Sequence, residues 1–187
     1  PSSGKMGYSI AQACAERGAI VELVSGPTYI APPVGVNLYR VNTATEMYDK
    51  VMNLFPQTRI VFKSAAVGDY GIENRAMHKI KKTEDTLELK LKKNPDILKE
   101  LGRRKGNQIL VGFAAETRDI EEYALKKLRE KNLDFIFVND VSKQDAGFAS
   151  DTNTGILFTR EGERVEFPMQ DKKDLAHLIV DEVLKRI

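Results

Sequence analysis

Several features that would classify a chain at once are scarce or missing here. One cysteine, Cys14, in 187 residues excludes an internal disulfide framework and fits a reducing compartment. Cys14 lies inside an amphipathic helical pattern with no histidine near it in sequence, so it reads as a core thiol rather than a nucleophile. The two histidines, His78 and His177, are too few and too isolated for a zinc site. Neither Gly-x-Gly-x-x-Gly nor Gly-x-Ser-x-Gly occurs, which speaks against a dinucleotide fingerprint and a hydrolase elbow. No apolar run approaches a membrane span and no signal peptide is visible, so a cytoplasmic protein without a membrane partner is expected. Net charge is only +2, with no long block of one sign, so no nucleic-acid footprint is expected over one face.

What is present is a globular composition, 42% hydrophobic and 30% charged, in a length suited to one domain. Ile10, Ala13 and Cys14 mark the apolar face of a helix over residues 5–17, ended by Gly18. Residues 19–24 read as a strand stopped by Ser25-Gly26-Pro27. Thr43 caps a helix over 44–55, and 59–64 is the next strand. Residues 86–92 alternate throughout and predict a half-exposed strand, antiparallel or at an edge. Asn94 is expected to cap a helix that begins Pro95-Asp96-Ile97.

Residues 108–113 and 134–138 are short apolar runs that predict buried strands. Between them lies a helix opened by Thr117 or Asp119 and running through Lys131. A hairpin over 154–159 and 164–167 and a final helix over 172–186 complete the chain. Alternating strands and helices with short connections predict a three-layer, Rossmann-like α/β fold with a mainly parallel sheet plus an antiparallel edge or hairpin. Residues 1–187 form one domain. Pro1 enters a strand-to-helix turn directly, so the first strand is expected to be missing and the domain N-terminally incomplete.

Ligands of such sheets sit beyond the carboxyl ends of the strands. Those ends, Ser25-Gly26-Pro27, Ser64-Ala65-Ala66, the segment 112–117 and Asn139-Asp140, are expected to converge on one crevice. Ala65-Ala66-Val67-Gly68-Asp69-Tyr70 is followed nine residues after Tyr70 by Lys79-Ile80-Lys81-Lys82. Small residues at a strand end, a carboxylate and a cationic loop suit a lid closing over a phosphorylated ligand. The plain alternative is a solvated lysine loop before an edge strand. Ser2-Ser3-Gly4-Lys5 at a helix start suits an anion or simple capping, and it is not a Walker loop because Met6 follows the lysine. The start at Asn94-Pro95-Asp96-Ile97 offers amides to a phosphate or ribose oxygen. Lys127 and Lys131, four apart on one helical face, read by themselves as solvated surface.

Together these segments resemble the phosphopantothenate–cysteine ligase family, which in many bacteria forms the C-terminal half of a bifunctional coenzyme A biosynthesis protein. Besides the segments already quoted, the likeness rests on Lys93-Asn94-Pro95-Asp96-Ile97, Gly112-Phe113-Ala114-Ala115-Glu116-Thr117, Asn139-Asp140-Val141-Ser142 and Gly147-Phe148-Ala149-Ser150-Asp151. All run in the family's order from end to end. The resemblance implies a two-step ligation in which 4′-phosphopantothenate attacks the α-phosphate of CTP, and L-cysteine then displaces CMP from the acyl-cytidylate. It implies magnesium, a homodimer with the strand after Lys82 in the contact, and FMN only if a decarboxylase domain lies upstream.

Carried over by motif, Lys79 looks like the catalytic flap lysine. Lys63, Ser64, Ala65 and Asp69 look like the nucleotide-binding strand end. Pro95, Asp96, Ile97 and Leu98 match the helix start that contacts CTP, Phe113 the wall beside it, and Lys127 and Lys131 the helix lysines that reach the nucleotide. Metal ligands are not specified. In the family an asparagine and a glycine-rich first strand precede the Ser-Ser-Gly-Lys motif, and both would stand before Pro1. The rivals are a non-catalytic α/β nucleotide-binding module and a short-chain-dehydrogenase-like enzyme. Consumption of a cytidine nucleotide separates the ligase from both.

Overall fold

A computed structural model describes residues 3–73, 88–116, 119–140 and 151–187, with Asp140 described by its backbone alone. The first helix, α1 (Lys5–Glu16), buries Tyr8, Ile10, Ala11 and Ala13 on one side. Strands β1 (Val21–Ser25) and β2 (Val36–Arg40) follow and pair in parallel. Helix α2 (Ala44–Leu54) starts where Thr43 accepts the Glu46 amide at 3.0 Å, as the sequence indicates, and runs into a 3-10 turn over Phe55–Gln57.

The main sheet has the order β3 (Ile60–Lys63), β6 (Ile109–Glu116), β7 (Phe135–Asp140), β8 (Thr152–Thr159) and β9 (Arg164–Asp171). Its first three strands are parallel, with Lys63 opposite Gly112 and Gly112 opposite Ile136. Its last two are antiparallel and form the expected hairpin. A small antiparallel ribbon, β4 (Tyr70–Ile72) with β5 (Leu91–Lys93), stands apart. Helices α3 (Ile97–Arg104), α4 (Ile120–Glu130) and α5 (Lys172–Leu184) complete the chain.

Alternation along the strands divides the core in two. Leu110, Ile136 and Phe158 face α2, α3 and α4, where they meet Met47, Leu98, Leu101 and Leu128. Their strand neighbours Val111, Phe137 and Leu157 point the opposite way, onto Ile10 and Ala13 of α1 and Leu175, Ile179 and Val183 of α5. Two helical layers therefore sandwich the sheet, which is the three-layer α/β fold read from the sequence.

Several local expectations need correction. Asn94 does not cap α3: Asp96 does, accepting the Lys99 amide at 3.1 Å, while the Asn94 side chain donates to the Gly68 carbonyl at 2.8 Å. The alternating segment 86–92 yields strand only from Leu91, with Thr86 and Leu87 outside the described residues. Lys131 stands at the C-cap just beyond α4 rather than within it. Asp119, in a left-handed conformation at φ 49°, precedes α4, and Thr117 lies outside the described residues. Strands β2 and β4 were not anticipated.

Candidate functional site

Strands β3, β6 and β7 run in parallel, so their carboxyl ends share one edge of the sheet. The α2–α4 face of that edge gathers three cations from two segments, the end of β3 and helix α4 with its C-cap. Lys63 ends β3 and curls back so that its Nζ donates to the Ala65 carbonyl at 2.6 Å. Lys131 reaches the Asp96 carboxylate at 3.0 Å. Lys127 lies with its ammonium 4.1 Å from the centre of the Tyr123 ring. Beside them an open cleft of about 540 Å³ is lined by Tyr48, Pro95, Asp96 and Lys131, among others.

The charges of these groups act on one another. Burial first, then the charges of Lys131 and Lys127, lower the Lys63 ammonium from 10.5 to about 8, against the pull of Asp96 and Asp69. Lys127 is lowered too, by burial and by Lys131, with Glu116, Asp96 and Asp69 opposing. Burial works against the Asp96 carboxylate, yet the Lys99 amide, Lys131 and Lys63 together hold it below the usual range. Like charges have been brought together at a cost, in the manner of a site awaiting an anion. The start of α3 adds the helix dipole and unsatisfied amides. Ile97 and Leu98 at that start are buried, so they can offer a ligand backbone rather than side chains.

A close approach sets this geometry. A Cβ added to Gly102 would lie 1.9 Å from the Lys131 carbonyl oxygen, so only glycine lets α3 press against the end of α4. Asn132 ties the same junction by donating to the Gly102 carbonyl at 2.8 Å. Lys131 thereby arrives over Asp96.

A second helix start lies at the same edge. Ser3 Oγ accepts the Lys5 amide at 3.4 Å, Lys5 Nζ pairs with Asp151 at 2.6 Å, and Thr28 Oγ1 donates to the Ser3 carbonyl at 3.2 Å. Tyr8 donates to Ser25 Oγ at 3.0 Å, tying α1 to the end of β1. A Cβ on Gly7 would meet Ser64 Oγ at 2.7 Å, so α1 also sits directly against the end of β3.

Lys63, Asp69, Asp96, Lys127 and Lys131 are thus brought into one electrostatic neighbourhood. Pro95, Ile97 and Leu98 flank it at the start of α3, and Ser64 and Ala65 continue β3 beside it. Phe113 stands on the other face of the sheet, 5.6 Å from the Phe137 ring among the residues that meet α1 and α5. Lys79 lies outside the described residues, as do Lys81 and Lys82. Tyr123 and Gly102 were missed by sequence reasoning. Cys14 behaves as expected: burial, partly offset by Arg17, pushes its thiol up to about 11.

Among the described residues no three acidic, cysteine or histidine side chains cluster to hold a metal ion. Asp69 is exposed and its charge acts on Lys63 and Lys127, and a single carboxylate of this kind suits a magnesium ion held chiefly by phosphate oxygens. No helix among the described residues is long and apolar enough to cross a membrane.

The fold and this edge define an α/β domain whose strand ends present a cationic crevice suited to a phosphorylated ligand. More particularly, the chain belongs to the DNA/pantothenate metabolism flavoprotein C-terminal domain family, whose profile matches residues 1–187. It is 45% identical over 183 residues to the coenzyme A biosynthesis bifunctional protein CoaBC of Bacillus subtilis strain 168, covering 97% of this chain and 45% of that protein. It is likewise 45% identical over 189 residues to CoaBC of Escherichia coli K12, covering 99% of this chain and 46% of that protein. The chain thus spans about half the length of these relatives. The crystal structure of a CoaBC C-terminal domain superposes with a TM-score of 0.82 at 39% identity, covering 97% of this chain and 82% of that one.

Proposed function

We propose that this domain joins 4′-phosphopantothenate to L-cysteine, using CTP, in coenzyme A biosynthesis. The observation that carries the reading is the meeting of Lys63, Lys127 and Lys131 around the start of α3 at the carboxyl edge of a parallel sheet. Membership of the family and the likeness to CoaBC support the same direction.

The chemistry accounts for such an edge. A carboxylate is a poor electrophile and must be activated before an amine can attack it. One oxygen of the 4′-phosphopantothenate carboxylate bonds to the α-phosphorus of CTP, the bridging bond to the β-phosphate breaks, and pyrophosphate leaves. The cysteine nitrogen then bonds to the acyl carbon, CMP leaves with the former carboxylate oxygen, and the nitrogen loses a proton to solvent. The first step brings several negative charges together, which cations in a partly dry cleft offset. Lys127 and Lys131 would bind the triphosphate, the α3 amides would orient it, and Lys63 would become fully charged as it does so. Magnesium held by Asp69 and the phosphates would supply further charge neutralisation. Lys79 would close over the reacting groups from its own segment.

Homodimerisation belongs to the same reading. Tyr70, Ile72, Leu89 and Leu91 expose large apolar side chains on or beside the β4–β5 ribbon, and a second copy would cover them. Sedimentation at micromolar concentration should give a dimer, and a monomer would remove this part of the proposal.

The test of function is pyrophosphate release. With 4′-phosphopantothenate and magnesium, CTP should be consumed and ATP should serve less well, and cysteine should convert the intermediate to amide and CMP. Lys79→Ala should lower pyrophosphate release about a hundredfold, roughly the 3 kcal/mol that a transition-state cation contributes in a dry site. Binding of CTP without turnover would instead support a non-catalytic nucleotide-binding module.

A further inference from the structure

Lys127 feels the charges of the Glu116, Asp96 and Asp69 carboxylates. A flexible lysine in that position has every electrostatic reason to pair with one of them. It does not: its ammonium rests 4.1 Å from the centre of the Tyr123 ring, one helical turn back along α4. The Tyr123 phenol interacts with the Glu116 carboxylate at the end of β6, and the charge of Asp69 acts on it more weakly. Burial first, and then Glu116, push that phenol up to about 12, so it keeps its proton as a donor throughout the neutral range.

We propose that Tyr123 is a positioning residue that keeps the charge of Lys127 available to the nucleotide, its ring holding the ammonium and its hydroxyl occupying Glu116. The inference rests on the reading of Lys127 as a nucleotide contact and deepens it. An ion pair between Lys127 and Glu116 would neutralise the lysine before the ligand arrives, and the triphosphate would have to break it. A ring face attracts the cation without cancelling its charge, so the ammonium stays directed but uncommitted. The phenol stands beside the carboxylate best placed to form the competing pair. Tyr123 thus keeps apart two partners, Glu116 at the end of β6 and Lys127 on α4.

Two independent readouts test this on the full chain. The first is calorimetric titration with CTP in the presence of magnesium. Tyr123→Phe keeps the ring but releases Glu116, and should weaken CTP binding about fivefold through Lys127–Glu116 pairing, equivalent to about 1 kcal/mol. Adding Glu116→Gln to Tyr123→Phe should restore affinity to within about twofold of the parent, because no carboxylate remains to capture the lysine. Tyr123→Leu, which loses ring and hydroxyl, should weaken binding at least about tenfold. A merely structural role for Tyr123 predicts no rescue by Glu116→Gln, and that result would overturn the proposal.

The second readout needs no nucleotide. The ε-methylene protons of Lys127 should show an upfield ring-current shift in the parent and in Tyr123→Phe/Glu116→Gln, and lose it in Tyr123→Leu. An unchanged Lys127 signal in Tyr123→Leu overturns the ring contact whatever binds at the edge. Lys127→Ala separates the two levels of the argument. If it leaves CTP affinity intact, the nucleotide reading of Lys127 fails. If it weakens binding while the Tyr123 variants do not, only the role of Tyr123 fails.

Discussion

The two helix starts at the carboxyl edge of the sheet make an instructive pair. Both carry small or polar residues and lysines in sequence, and both suit an anion on paper. At α1 the polar groups already have protein partners: Ser3 accepts the Lys5 amide, and Lys5 reaches across the fold to pair with Asp151. At α3 the capping carboxylate of Asp96 is approached by Lys131 from the end of α4 and lies near Lys63 at the end of β3. Three cations from two other segments meet there, and burial together with the charges of Lys131 and Lys127 lowers Lys63 to about 8. Lysines near a helix start are common and inexpensive. Lysines crowded against one another raise the free energy of the empty protein, and an incoming polyanion relieves that crowding.

The largest expected break in this comparison is at Gly102. Gly102→Ala would force a methyl group to within 1.9 Å of the Lys131 carbonyl, and backbone cannot yield cheaply there. It should destabilise the domain by about 3 kcal/mol, the upper range for overpacking a tight contact. CTP affinity should fall with it, because Lys131 moves off Asp96. Urea denaturation and titration at a temperature where the variant is folded would measure both effects.

Next comes the pH dependence that Lys63 imposes. Its folded value of about 8 lies below its ordinary 10.5, so between those limits the folded state holds fewer protons than the unfolded state. Stability should therefore rise with pH across that window, by on the order of 2 kcal/mol after allowance for solvent screening. Below pH 8 both states are charged, and the penalty of burying the ammonium is felt in full. Lys63→Met should remove this rise. The comparison of parent and variant isolates it from Cys14, whose raised value of about 11 acts with the opposite sign between its ordinary 9.0 and that value. Equal slopes in parent and Lys63→Met would show that the lysine is not crowded in solution.

The smallest effects should separate the two starts by kind. Asp96→Asn keeps a capping oxygen, so it should cost only a few tenths of a kcal/mol, whereas Asp96→Ala should cost about 1 kcal/mol. Lys5→Ala, which removes a pair with an exposed partner, should cost less than about 1 kcal/mol and leave CTP affinity within about twofold. A tenfold loss of affinity in Lys5→Ala would erase the distinction between the starts.

Much of this was legible in the sequence because it is local or periodic. The alternation Leu110–Val111 and Ile136–Phe137 marks strands covered on both faces, and Thr43 caps α2 by a rule of spacing alone. The cap of α3 was misplaced by two residues because Asn94-Pro95 carries the stronger cap signature, while the fold uses Asn94 to reach Gly68 across 26 positions. Strand β2 carries a weak signal because Val36–Arg40 is only half-buried and its burial does not alternate cleanly. The lysine cluster could not be read from spacing at all. Lys63 looks like the polar end of an apolar run, Lys127 and Lys131 look like solvated surface, and nothing in their order says that they meet. Only the family resemblance singled them out. The Tyr123–Lys127 contact is a simple helical i, i+4 pair, and it gains meaning from the interaction of Tyr123 with Glu116 at the end of β6.

The central claim is that the nucleotide binds at the α3–α4 edge. Calorimetric titration of CTP with magnesium into the parent chain and into Lys127→Ala/Lys131→Ala tests it most directly. The double variant retains the α3 cap and the core packing, so it should fold as the parent does, as circular dichroism would verify. Its CTP affinity should fall about a hundredfold or more, equivalent to about 2.8 kcal/mol for two desolvated phosphate contacts. A double variant that folds normally and binds CTP as tightly as the parent would contradict the account.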